Sequence, residues 1–246
     1  MPLLRALALL LSLALPARAE PVFVLVHGAF VGEWYWEPVL TELQAAGATA
    51  VAVTLRGFGA RADENGPGIT AADHAEDIVA AIAATASDDV TLVAHSAGGR
   101  SATLAWDRAR DSVTRIVYVE AVPPAETGPV AFTEDRAALD WLAANRPAIL
   151  ASGLMPVRAG IAPEYRARAA PMPLALLFGE LRLENGTLPD TPRSLILAED
   201  SPIAALRSLA GTLGADPLWT VVEIGGGHDV ARDNPGGLAA ALLALD

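Results

Sequence analysis

The stretch LVAHSAGGR, residues 92–100, places Ser96 among small residues, directly after an apolar run and just before a helical pattern. Small neighbours are what a hydroxyl needs if it is to project from a tight turn between a strand and a helix, as a nucleophile must. Ala94-His95-Ser96-Ala97-Gly98 departs from the G-x-S-x-G pattern only at its first position, where alanine adds a methyl group. A serine hydroxyl attacks poorly until a base takes its proton, so the chemistry also needs an imidazole and a carboxylate to orient it. Both occur further along. SLILAEDSP at 194–202 carries Glu199 and Asp200, and VVEIGGGHDV at 221–230 runs through three glycines into His228. One helix and one strand separate Asp200 from His228, the spacing of neighbouring units of a sheet. Asp200 is the carboxylate that best fits a strand-end turn, with Glu199 and Glu120 as competitors for the role.

FVLVHGAF, residues 23–30, reads as a strand running into a sharp turn that can present a backbone N–H to a pocket. Ala97 begins the helical pattern after Ser96, where unpaired N–H groups and the helix dipole favour an oxyanion. The other histidines read as structural. His27 is expected to pack and bond to backbone at its strand end, His95 fills the variable elbow position, and His74 is placed on an exposed helix face. No two of them have metal-ligand spacing on one helix, so no metal site is expected. Arg56 in LRGFG reads as fixing its loop, with contact to substrate as the alternative. Phe30, Trp34, Trp36, Trp141 and Phe178 are candidates for an apolar pocket or for ordinary packing. Phe30, directly after the first turn, is the one assigned to substrate.

These residues need elements to position them. Apolar runs predict strands at Val22–His27, Ala48–Leu55, Val90–Ala94, Arg115–Glu120, Ser194–Ala198 and Trp219–Ile224. Helical patterns cover Glu37–Ala46, Ala72–Thr85, Ala97–Arg110, Pro202–Leu213 and Pro235–Leu243. Such alternation predicts an α/β fold with one mostly parallel sheet flanked by helices. Residues 123–192 break the rhythm with many prolines and scattered aromatics (Phe132, Trp141, Tyr165 and Phe178), too long for a plain loop, and read as a small, partly helical cap over the strand ends.

With 246 residues, 52% of them hydrophobic and 19% charged, the chain can bury a large core as one domain. Its 17 basic residues are all arginine, which removes lysine chemistry, and it has no cysteine, which removes thiolate chemistry and disulfides. Residues 1–19 join Arg5, an apolar run and Ala17-Arg18-Ala19, and read as a signal peptide cleaved near Ala19, giving a periplasmic or secreted protein. A net charge of −12 disfavours nucleic acid and anionic membranes as partners. No stretch after the leader is long and apolar enough for stable membrane insertion, and a small-molecule ester is the expected partner.

LVHGAFVGEWYWEPVL, LRGFG, the elbow, IVYVEAVPPAETG at 116–128 and the acid and histidine segments together resemble the α/β-hydrolase superfamily. The likeness is greatest to its small esterase branch of plant methyl esterases, hydroxynitrile lyases and bacterial esterases, and spans nearly all the chain after residue 20. The resemblance implies Ser96 as nucleophile, His228 as base, Asp200 as orienting acid, Ala29 and Ala97 as oxyanion donors, and no cofactor. Where relatives of the D-x-R-G-x-G type carry aspartate, this chain has Thr54. It thus implies a hydrolase of small or medium neutral carboxylic esters or lactones acting through an acyl-serine. Two other outcomes share the scaffold: lyase or cofactor-free perhydrolase chemistry, and a non-catalytic binding protein. The lyases of this branch place a lysine beside the catalytic histidine. Asp229 stands there instead, which disfavours cyanohydrin cleavage.

Overall fold

The computed structural model describes residues 22–124, 136–158 and 161–245; the leader expected at 1–19 and Phe132 lie outside them. Six parallel strands form the sheet: β1 (Val22–Val26), β2 (Thr49–Ala52), β3 (Val90–His95), β4 (Val113–Val119), β7 (Arg193–Ala198) and β8 (Trp219–Ile224), in the order β2-β1-β3-β4-β7-β8. Side chains alternate across a strand, so each central strand feeds two cores. Val24, Val26, Leu92, Ala94, Ile116, Tyr118, Leu195 and Leu197 enter one. Phe23, Leu25, Val93, Val117, Val119 and Ile196 enter the other. This is why the central strands read as nearly unbroken apolar runs, whereas the edge strand β2 alternates between exposed and half-buried residues.

Helices cover both faces. The first core is closed by α2 (Ala71–Ala84), α3 (Gly98–Arg108) and α7 (Ala204–Leu213), the second by α1 (Glu37–Ala45), α8 (Val230–Asp233) and α9 (Pro235–Leu243). Their starts follow from sequence. Thr70 and Asp73 form a reciprocal capping box on α2. Asn234 accepts from the Gly237 N–H at 3.0 Å ahead of Pro235 in α9.

Between β4 and β7 the described part of the cap contains α4 (Arg136–Ser152), α5 (Pro163–Arg166), α6 (Leu174–Phe178) and a two-residue antiparallel ladder between β5 (Leu154–Met155) and β6 (Met172–Pro173). The cap is tied to α3 by Arg100, whose guanidinium donates to the carbonyls of Leu176 (2.9 Å) and Gly179.

β2 stops earlier than its apolar run suggests. The chain leaves the sheet because the Arg56 N–H donates to Asp77 Oδ2 at 2.9 Å and the Arg56 guanidinium grips the same carboxylate. Arg61 adds a contact to Asp77 at 2.9 Å, and the Asp77 side chain is only 8% exposed. The two guanidiniums hold the Asp77 carboxyl below its usual range, although burial opposes them. Arg56 therefore fixes the loop that closes one side of the sheet end. Asp77→Ala leaves two guanidiniums without their shared partner and is expected to cost about 2 kcal/mol or more in urea unfolding. Removing exposed Glu64, an ion-pair partner of Arg61, should leave the urea midpoint close to that of the wild type.

Candidate active site

Open α/β sheets bind ligands at the carboxyl ends of their strands, beside the point where strand order reverses. Here that point lies between β1 and β3, and Ser96 follows β3. Its φ of 52° is left-handed, a conformation costing an ordinary residue about 1–2 kcal/mol. The turn tolerates only glycine at two places. A Cβ on Gly98 would collide with the His27 carbonyl oxygen, and one on Gly28 would lie 2.8 Å from His95 Nδ1 and 2.9 Å from Ser96 Cβ. Position 94 carries no such demand, because Ala94 is an ordinary buried strand residue.

Ser96 Oγ lies 2.9 Å from His228 Nε2, and His228 Nδ1 lies 3.1 Å from Glu120 Oε2. The carboxylate in contact with His228 is thus Glu120, at the end of the strand beside the one that Ser96 follows, and not Asp200 as the sequence predicts. Glu120 is fully buried and left-handed (φ 48°) directly after β4. Its Oε1 accepts the Ala198 N–H at 2.8 Å, and its Oε2 accepts the Ser201 hydroxyl at 2.8 Å as well as the imidazole. Three donors compensate a carboxylate that burial would otherwise make very costly.

Asp200 is exposed and reaches the histidine loop only through its backbone, donating to the Gly226 carbonyl at 3.0 Å. Glu199 is exposed too, and its carbonyl is held by the Arg207 guanidinium. The turn after β7 points both carboxylates outward and sends Ser201 inward to Glu120. The sequence did hold a signal: Glu120 is the lone acid in the apolar run IVYVEAV, and an acid in such a run must be buried with partners.

His228 is held from behind by a residue read as a mere spacer. His95, buried in the elbow, lies 2.8 Å through Nε2 from the His228 carbonyl. The Tyr35 hydroxyl is 3.2 Å from the same nitrogen, and its ring stacks on the imidazole at 4.6 Å. The residue preceding Ser96 thereby fixes the backbone of His228. Burial keeps His95 neutral, well below its ordinary pKa.

Ala29 and Ala97 line one narrow cavity together with His27, Gly28, Gly98, Ser101, Leu55, Phe58, His74, Met172 and Leu176. Ala97 is also the N-cap of α3. The two residues expected to supply the amide donors thus border the same cavity. Phe30 is elsewhere: its side chain is packed in the core, its φ is 67°, its carbonyl accepts from the Ala170 N–H of the cap, and it is not a wall of this cavity. Trp34 and Trp36 are core residues, Trp141 packs at the core's margin, and Phe178 is 59% exposed.

His74 is buried rather than exposed as expected. Its Nε2 lies 3.0 Å from the Arg56 carbonyl, where it can donate, and its ring stands edge-on to Phe58. Helical spacing pointed there, since Ala71, His74, Ala75, Ile78 and Ile82 form the buried stripe of α2. Among the described residues no cluster of three or more His, Cys, Asp or Glu could hold a metal ion.

A sequence profile described as the Alpha/beta hydrolase family matches residues 23–241. A carbendazim hydrolyzing esterase of Nocardioides is 32% identical over 239 residues, covering 91% of this chain and 98% of that protein. Methylesterase 7 of Arabidopsis thaliana is 39% identical over 112 residues, 45% of this chain and 43% of that protein. Among solved structures, an extracellular alpha/beta-hydrolase from a Paenibacillus species superposes with a TM-score of 0.74 at 21% identity, covering 91% of this chain and 98% of that one. Polyneuridine aldehyde esterase superposes at 0.66, also with 21% identity, over 92% and 99%. At such identities the superpositions speak for the fold.

Burial lowers His27 to about 3 and His74 to about 4, and it lowers His95 likewise. Unfolded, each would bind a proton below its ordinary 6.5; folded, each stays neutral until its depressed value is reached. Their contribution to stability is therefore complete above pH 6.5 and is lost as pH falls through that window, by about 1.4 kcal/mol per pH unit for each histidine. Urea unfolding at pH 7, 6 and 5 should show this decline, and His74→Gln should flatten it. A pH-independent midpoint would contradict the burial of these imidazoles in the neutral form.

Proposed function

The chain belongs to the alpha/beta hydrolase family, and on that premise we propose that it hydrolyses small or medium neutral carboxylic esters, lactones included, through an acyl-Ser96 intermediate. The observation that carries this reading is the unbroken chain of contacts from Ser96 Oγ through His228 to Glu120, at 2.9 and 3.1 Å.

The steps follow from the groups. With Nδ1–H donating to Glu120, the His228 lone pair on Nε2 faces the serine hydroxyl. His228 takes the hydroxyl proton as Ser96 attacks the carbonyl carbon, and Glu120 holds the ring's orientation and stabilises the imidazolium. The amides of Ala29 and Ala97 receive the oxyanion, each worth on the order of 3 kcal/mol of barrier. Imidazolium Nε2–H then protonates the departing alcohol. Water, deprotonated by His228, cleaves the acyl-serine and returns the serine its proton. These side chains and amides supply every proton and counter-charge the cycle needs.

Substrate class is supported by the relatives' names, a carbendazim hydrolyzing esterase and a methylesterase. Export is part of the proposal and rests on the leader-like residues 1–19.

Purified protein should hydrolyse p-nitrophenyl acetate or butyrate and be labelled at Ser96 by a fluorophosphonate. Ser96→Ala should abolish both. Glu120→Gln should lower kcat by about 10²–10⁴-fold, whereas Asp200→Asn should stay within about threefold of wild type. A wild-type protein that is unlabelled and inert on a broad ester panel would overturn the proposal. Collapse of activity in Asp200→Asn alone would overturn the assignment of the acid.

A further inference from the structure

We propose that His95 is a positioning residue of the reaction: by holding the His228 carbonyl it aims that residue's ring at the leaving alcohol. Esters of weakly acidic alcohols then depend on His95 most. This deepens the esterase reading and rests on it.

His95 is the last residue of β3, 3% exposed and directly before Ser96 in the chain. Its Nε2 is 2.8 Å from the His228 carbonyl oxygen, which can only accept, so in the neutral ring Nε2 carries the proton and donates it there. Nδ1 is buried with no hydrogen-bond partner among the described residues. The single N–H of this ring is thus committed to the backbone of the residue that bears the base. Its plane is set by packing. Tyr35 stacks on it at 4.6 Å and 20°, Trp36 stands edge-on at 6.4 Å and 88°, and the His228 ring lies 4.9 Å away.

The preceding residues of the histidine loop have other anchors. The Gly225 carbonyl accepts from the Asn234 amide at 2.9 Å, the Gly226 carbonyl accepts from the Asp200 N–H at 3.0 Å, and the Gly227 N–H donates to Asp233 at 3.2 Å. At residue 228 the carbonyl is held from the elbow. Removing the His95 N–H therefore frees the carrier of the imidazole while its neighbours stay fixed.

Attack and departure make different demands on that imidazole. Before attack the Ser96 hydroxyl, 2.9 Å from Nε2, holds the ring by its own hydrogen bond. Once the proton has moved to Nε2 and Oγ has bonded to the carbonyl carbon, that restraint is gone. As the bond from carbon to the leaving oxygen breaks, its electron pair goes to that oxygen, and Nε2–H must reach it to supply the proton. An error in aim is costly at this step. A p-nitrophenolate leaves as the anion and needs no proton, a phenolate needs it more, and a methoxide most.

The test measures kcat/KM, which reports acylation, on p-nitrophenyl, phenyl and methyl butyrate for wild type, His95→Phe, His95→Asn and His95→Gln. Phenylalanine keeps a ring without a donor, asparagine places its amide near Nδ1, and glutamine extends an N–H to the place of Nε2. His95→Phe and His95→Asn should lose about 10–10²-fold more on the methyl ester than on the p-nitrophenyl ester, with the phenyl ester between. His95→Gln should recover most of that difference. A smaller folded fraction lowers all three esters alike, so the ratio between esters reads positioning and not stability. If His95→Phe does not fold, the comparison of asparagine with glutamine carries the test.

Ratios between esters unchanged from wild type in His95→Asn and His95→Phe would overturn the positioning role and leave the esterase reading intact. A His95→Gln protein with ratios as altered as those of His95→Asn would overturn it as well, since the N–H at Nε2 would not be what matters. A wild-type protein inert on all three esters would instead fall on the esterase reading, and the role of His95 would fall with it.

Discussion

The structure at the sheet end depends on one buried carboxylate. Glu120 is out of reach of water and is kept there by the Ala198 N–H, the Ser201 hydroxyl and the His228 imidazole. Each donor comes from a different part of the chain: β7, the turn after it, and the loop after β8. A buried charge that lost one of them would leave an uncompensated group worth several kcal/mol. The same bonds that make Glu120 tolerable therefore fix three loops against one another and set the imidazole in line with Ser96.

Local strain gathers at the same place. Among the described residues four non-glycine residues have left-handed φ, and three of them, Phe30, Ser96 and Glu120, follow the ends of β1, β3 and β4. Each is held by tertiary contacts: Phe30 by packing and its bond to the cap, Ser96 by its N–H to the Val119 carbonyl at 3.1 Å, Glu120 by its N–H to Ile196 at 2.9 Å. Conformations of this kind persist only where the surroundings over-determine them, and they cluster at functional sites. Gly28 and Gly98 complete the arrangement by letting the β1 turn and the elbow approach more closely than any side chain would allow. His95 and Tyr35 add a buried brace from the elbow to the backbone of His228.

Much of this was legible in the residues. Six strands and the helices between them were readable because parallel strands buried on both faces are apolar throughout, and Ser96 and His228 were readable because glycine-rich strand ends are where this architecture places chemistry. The acid was not settled, because spacing along the chain does not say which way a strand-end turn points. Asp200 and Glu120 both end strands, and only the turn that faces Ser201 inward and Asp200 outward separates them. His74 differs for another reason: its polarity suggests an exposed face, but its place on the apolar stripe of α2 buries it. The length of β2 depended on the Arg56–Asp77 pairing, a contact across 21 residues that no local pattern reveals.

The proposed chemistry requires the imidazole of His228 to share its Nδ1 proton with Glu120. Proton NMR of the resting protein tests this most directly, through the far-downfield resonance of a histidine N–H bonded to a carboxylate. The resonance should be present in wild type, disappear in Glu120→Gln and persist unchanged in Asp200→Asn. Its persistence in Glu120→Gln together with its loss in Asp200→Asn would contradict the arrangement on which the proposed chemistry rests.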